Sequence, residues 1–138
     1  MAGVHFTFDN FKQLLDLSIG LVQRLDENRA ESFTLLYCDF SKVKQTDINS
    51  SLEQILRNSD SISNSKSDYF FILPYTDKYG AAIVKNMFSE FFAKDLNSCV
   101  VSYPIDGEKS EALIEELKNL AGAKYKNDLT CLNSFNPY

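Results

Sequence analysis

Phe33–Phe40 (FTLLYCDF) and Asp68–Tyr75 (DYFFILPY) decide the fold. Each is an apolar run too short for a helix between polar flanks, and neither alternates with polar residues. Each therefore reads as a strand covered on both faces. The lack of alternation places Phe33–Phe40 in the interior of a sheet rather than at its edge. Pro74 cannot donate to a ladder and stops the second run. Ser98–Tyr103 (SCVVSY) supplies another strand, with turn chemistry after it in Pro104–Gly107 (PIDG). A weaker strand is expected around Ile62, inside a polar stretch.

Helical patterns fill the spaces between these runs. Thr7 can cap a helix starting at Phe8, with Phe8, Phe11, Leu15, Val22 and Leu25 at helical spacing and an end near Asn28. A short helix is expected over Leu52–Leu56. Asp77 caps a third helix, whose Ala81, Val84, Phe88, Phe91 and Phe92 share a face that reads as core; the alternative is a docking face for a partner, because Phe88, Phe91 and Phe92 crowd one end. Ser110 caps the last helix, carrying Leu113, Leu117 and Leu120. Strands separated by helices bury a sheet beneath a helical layer, which predicts an α/β (α+β) domain. The organisation expected is one domain over residues 1–138. Residues 1–30 hold the N-terminal helix, 33–126 the core and 127–138 an irregular tail.

Composition excludes several function classes. The 138 residues carry 14 basic and 19 acidic side chains, a net charge of −5, with the basic ones scattered. Nucleic-acid binding needs clustered Lys and Arg, so no nucleic-acid face is expected. Cys38, Cys99 and Cys131 are too few and too dispersed for a disulfide framework or a Cys-x-x-Cys metal site, which suits a reducing cytoplasm. No signal peptide or membrane-spanning run is read, so no membrane contact of the chain's own is expected. His5 is the only histidine and sits in the N-terminal tail, leaving no imidazole base for a Ser or Cys nucleophile.

Several collinear motifs resemble the GGDEF (diguanylate cyclase) family. The first strand ends in Asp39, Phe40, Ser41, Lys42, Val43, Lys44 and Gln45 (DFSKVKQ), similar to the family's Asp-x-Asp followed by Phe-Lys. Arg57, Asn58, Ser59 and Asp60 (RNSD) match its Arg-x-x-Asp motif. Lys66, Ser67, Asp68, Tyr69 and Phe70 (KSDYF) stand at the signature, and Leu120–Lys124 (LAGAK) resembles Leu-Tyr-x-Ala-Lys. The resemblance implies a nucleotidyl-cyclase-like central sheet flanked by helices. It also implies that Asp39 and Asp68 match metal carboxylates, with the Phe40 backbone as a third ligand position, and that Lys44 and Lys124 match phosphate-contacting lysines. Arg57 and Asp60 match the inhibitory cyclic di-GMP site, where an arginine fork grips phosphate or a guanine edge. Counting back from Pro74 instead puts Ser67 at the acid position, which removes the metal site.

The departures set the functional expectation. Lys66 and Ser67 replace two glycines that let the hairpin backbone lie against phosphate, and they disfavour the φ > 0 geometry glycine tolerates. The family's guanine-holding elements have no counterpart between Gln45 and Leu52. A catalytically inactive domain acting as a regulatory or protein-interaction module is therefore expected first, through a protein partner or self-association. A cyclic di-GMP receptor using Arg57 and Asp60 is the alternative, and an active cyclase ranks last. No cofactor is expected, with Mg²⁺ only if Asp39 and Asp68 still hold it.

Overall fold

The computed structural model describes residues 2–25 and 29–135. Within them the strands are β1 (Val4–His5), β2 (Glu31–Asp39), β3 (Ser61–Ser65), β4 (Asp68–Pro74) and β5 (Ser98–Pro104). The α-helices are α1 (Phe11–Leu25), α2 (Gln45–Ile55), α3 (Lys78–Phe92) and α4 (Ser110–Tyr125). Among the described residues the strands form one sheet in the order β1-β3-β4-β2-β5, antiparallel except for β1 with β3. This is the mixed α/β architecture expected, a mainly antiparallel sheet flanked by helices. β2 pairs with β4 on one side and β5 on the other, the interior position that its unbroken apolar run predicted.

Period-two alternation along β2 and β4 divides the core into two layers. Phe33, Leu35, Tyr37, Phe70 and Ile72 pack with Phe11 and Leu15 of α1 and with Leu113, Leu117 and Ala121 of α4. Leu36, Cys38, Phe40, Tyr69, Phe71 and Leu73 point the other way, onto Ile48 and Leu52 of α2 and Ala81 and Phe88 of α3. Cys38 and Cys99 are buried and Cys131 half-buried.

β5 is an edge strand, and the fold blunts it. Its outward groups are met at one end by the Tyr125 hydroxyl, which accepts from the Ser98 N–H and donates to the Ser98 carbonyl. At the other end Asp106 accepts from the Ser102 N–H through Oδ2 and donates its own N–H to the Ser102 carbonyl. Side-chain and turn groups thus take the places another strand would use.

Several local expectations are corrected. The second helix spans Gln45–Ile55 rather than Leu52–Leu56, because Ile48 and Leu52 make one buried ridge within a polar sequence. The first helix opens as a 3₁₀ turn over Phe8–Asn10 and becomes α-helical at Phe11; its end near Asn28 lies outside the described residues. Asp77 does cap α3, accepting from the Gly80 N–H at 2.8 Å, whereas Ser110 is the first residue of α4 rather than its cap, and Lys109 before it makes no side-chain capping bond. His5 lies in β1, bonded to the Asn64 side chain, not in a loose tail. The segment after α4 is not irregular: Thr130–Ser134 forms a 3₁₀ helix, and Leu129 and Leu132 enter the core.

Candidate functional site

The antiparallel register sets Asp39 directly across from Asp68 at the open end of β2 and β4. Both therefore project from the face that carries Tyr37 and Phe70, with directly opposed Cβ atoms about 4.5–5.5 Å apart in such pairs. The Ser67 carbonyl accepts from the Phe40 N–H, and Ser67 itself sits in the turn. Asp68, rather than Ser67, is thus the residue facing Asp39.

Neither carboxylate is idle. Asp39 accepts from the Ser41 N–H at 2.9 Å, which folds the chain out of β2. Asp68 Oδ1 accepts from the Tyr37 hydroxyl at 2.7 Å, and the Cys131 thiol lies 4.0 Å from Oδ2. Asn127 Nδ2 donates to the same Tyr37 oxygen at 3.2 Å. Burial pushes the Asp68 carboxyl above the usual carboxylate range; the Tyr37 bond pulls it back and the Asp39 charge adds to the rise. Burial likewise raises the Tyr37 hydroxyl, and burial with the Asp68 charge lifts the Cys131 thiol to about 11. Two carboxylates and the Phe40 carbonyl are the right donor types for Mg²⁺. Their geometry fits poorly: Tyr37 holds one Asp68 oxygen, the Cys131 thiol stands at the other, and the Phe40 carbonyl accepts from the Val43 N–H.

The signature turn lies between Ser65 and Asp68, which are cross-strand partners. Lys66 adopts φ 54°, the left-handed region, held by Asn64 Nδ2 donating to its carbonyl at 2.8 Å. A lysine side chain disfavours this geometry. The hairpin imposes it all the same, because a two-residue connection between paired strands needs positive φ, at a cost near 1 kcal/mol. Tyr69 and Phe70 then continue into β4 as buried core residues on opposite faces.

The two lysines are set apart. Lys124, at the end of α4, reaches the Ser98 carbonyl at 3.4 Å, beside the acid end of the sheet. Lys44 precedes α2 on the other layer, where neighbouring Gln45 donates to the Tyr69 hydroxyl. An open cleft of about 270 Å³ joins Asp39, Ser41 and Lys42 to Lys94 and Asn97.

Arg57 and Asp60 form a clamp between α2 and β3. Asp60 is 2% exposed; its Oδ2 accepts from the Arg57 backbone N–H at 2.8 Å and its Oδ1 from Nη2 at 2.9 Å. Nη2 also donates to the Pro74 carbonyl at 2.8 Å and to the Thr76 hydroxyl at 2.9 Å. The backbone joins in, since Gly3 donates to the Arg57 carbonyl and Val4 to the Asp60 carbonyl. One nitrogen of the guanidinium, Nη2, thus meets three parts of its own chain, while the side chain stays 54% exposed.

Sequence reading missed Tyr37 and the 127–135 segment as parts of the acid end. The first had a signal: Tyr37 stands two residues before Asp39, so strand alternation puts both on one face. The docking face read at Phe88, Phe91 and Phe92 is corrected, since Phe88 is 0% exposed; the outward row on α3 is Tyr79, Ile83, Met87 and Phe91, which recur every four residues and are 77%, 45%, 41% and 37% exposed.

No family model and no curated protein matches the chain. Solved structures do. A sensory box/GGDEF family protein from Caulobacter crescentus is similar at TM-score 0.61 and 15% identity, over 88% of this chain and 92% of that one. A DGC protein from Thermotoga maritima is similar at TM-score 0.59 and 16% identity, over 83% and 93%. Identities this low speak for backbone architecture alone, and on that ground the chain has a GGDEF-like fold.

Proposed function

We propose that this chain is a catalytically inactive GGDEF-like domain serving as a regulatory or protein-interaction module. The observation that carries the reading is the outward row of α3. Tyr79, Ile83, Met87 and Phe91 lie along one ridge of a 15-residue helix, all exposed, while Ala81 and Phe88 fill the core beneath. Contiguous apolar surface of this kind marks interaction sites, and an i, i+4 ridge is the shape that packs into a groove of another helix. Inactivity rests on the acid end. Asp68 is engaged by Tyr37, the signature turn carries Lys66 and Ser67, and the chain after β2 runs into α2.

The alternative, a cyclic di-GMP receptor, ranks second, because Arg57 Nη2 is already engaged by Asp60, Pro74 and Thr76. Two measurements on the purified protein test the proposal. Incubation with GTP and Mg²⁺, followed by chromatography, should yield no cyclic di-GMP; turnover lost in Asp68→Ala would refute inactivity. Sedimentation should show self-association, or cross-linking a stable partner, weakened in Ile83→Glu and Met87→Glu. Retention of every contact in both variants would remove α3 from the account.

A further inference from the structure

The segment following α4 is built, not frayed. α4 closes on Lys126 at φ 55°, and the chain turns again at Leu129 at φ 46°, two left-handed residues without glycine. Each such residue is unfavourable, and what offsets them is burial: Leu129 is 1% and Leu132 0% exposed. Phe135 lies 5.2 Å from the ring of Phe8. Asn127 Oδ1 accepts from the Leu129 N–H at 3.0 Å while its Nδ2 reaches Tyr37 at 3.2 Å, so one side chain fastens both the turn and the sheet. Cys131 then lies at the free oxygen of Asp68.

We propose that residues 127–135 are an internal plug over the two-acid end of the sheet, with Asp68 acting through Tyr37 as its keeper rather than as a cation ligand. Tyr37 spans the join: its hydroxyl donates to Asp68 at 2.7 Å and accepts from Asn127 at 3.2 Å, so the acid, the sheet and the strap share one oxygen. A group approaching the half-buried Asp68 at Oδ2 meets the Cys131 thiol of the strap, 4.0 Å away. Plug closure and outside occupancy of Asp68 therefore exclude each other, in the way a ligand that binds only one of two states shifts their balance.

Hydrogen exchange of the C-terminal peptide, measured on the full chain, reads this directly, because the amides of Leu129, Leu132 and Phe135 are bonded only within the closed strap. Tyr37→Phe and Asn127→Ala should each speed exchange about tenfold, the factor one lost hydrogen bond gives. Asp68→Ala should do the same, whereas Asp68→Asn, which still accepts from Tyr37, should stay protected. A cation ligand would not be rescued by Asn, so this contrast separates the two roles. Asn127 lies outside the strands, which keeps the test sound if Tyr37→Phe disturbs folding. Millimolar Mg²⁺ should leave wild-type exchange unchanged. The proposal is overturned if Asn127→Ala and Asp68→Ala exchange like wild type. It is equally overturned if Mg²⁺ alters strap protection in wild type but not in Asp39→Asn. Nucleotide turnover does not enter this test, so it and the functional reading can fail separately.

Discussion

Replacing Asp60 with alanine strips the clamp of its acceptor and tests whether Arg57 belongs to the fold or to a ligand. The loss has two parts. The Arg57 backbone N–H, bonded to Oδ2 at 2.8 Å in a part-buried site, is left without a partner, which costs about 1–3 kcal/mol. The guanidinium pair adds less, because the Arg57 side chain is 54% exposed and water screens it, about 0.5–1 kcal/mol. Together these put Asp60→Ala at about 1.5–4 kcal/mol of lost stability. Arg57→Ala should cost a similar amount, since it leaves a carboxylate that is 2% exposed with only a backbone donor. Arg57→Lys should recover part of the loss, because the contacts to Asp60, Pro74 and Thr76 all come from the one nitrogen Nη2, whose place a three-donor ammonium can take. Urea denaturation at constant m measures each variant, and the double variant completes a cycle whose coupling should be about 1 kcal/mol or more. Single losses under about 0.5 kcal/mol, or strict additivity, would refute the reasoning and return the arginine to the pool of ligand-binding groups.

Lys66→Gly should stabilise the protein by about 0.5–1 kcal/mol, since glycine adopts φ 54° without a Cβ clash; destabilisation in a thermal melt would contradict the strained turn. Leu132→Ala should cost about 2–4 kcal/mol, as for a core leucine; a cost below about 1 kcal/mol would mean the segment is loosely attached. The raised Asp68 carboxyl fixes a sign. Its folded value lies above its unfolded one, so the folded state binds more protons in that window and stability falls as pH rises through it. Asp68→Asn lacks this group, so its stability relative to wild type should improve from acid to neutral pH in paired thermal melts. The opposite trend would show that the carboxylate is stabilised by a positive partner.

The strands were legible because they are dense apolar runs, while the meeting of Asp39 with Asp68 was implied by the family resemblance and fixed in register by the pairing of β2 with β4. What was not legible was long-range. The spacing of Arg57 and Asp60 is in the sequence, but the Pro74 carbonyl and Thr76 hydroxyl that complete the clamp lie 17 and 19 residues away. α2 was cut short because Ile48 alone carries its apolar signal before Leu52, among Gln, Thr, Asp, Asn and Ser. The strap escaped for the same reason: Leu129 and Leu132 are two leucines in a polar run, and only tertiary burial makes them a motif. Lys66 shows the reverse case, where pairing of β3 with β4 overrides the residue's own backbone preference.

Titration calorimetry of the full chain, once with GTP and Mg²⁺ and once with cyclic di-GMP, tests the central claim most directly. The account predicts no saturable heat in either titration, because Asp68 is held by Tyr37 and Arg57 by Asp60. A saturable GTP isotherm lost in Asp39→Asn, or a cyclic di-GMP isotherm lost in Arg57→Ala, would contradict it.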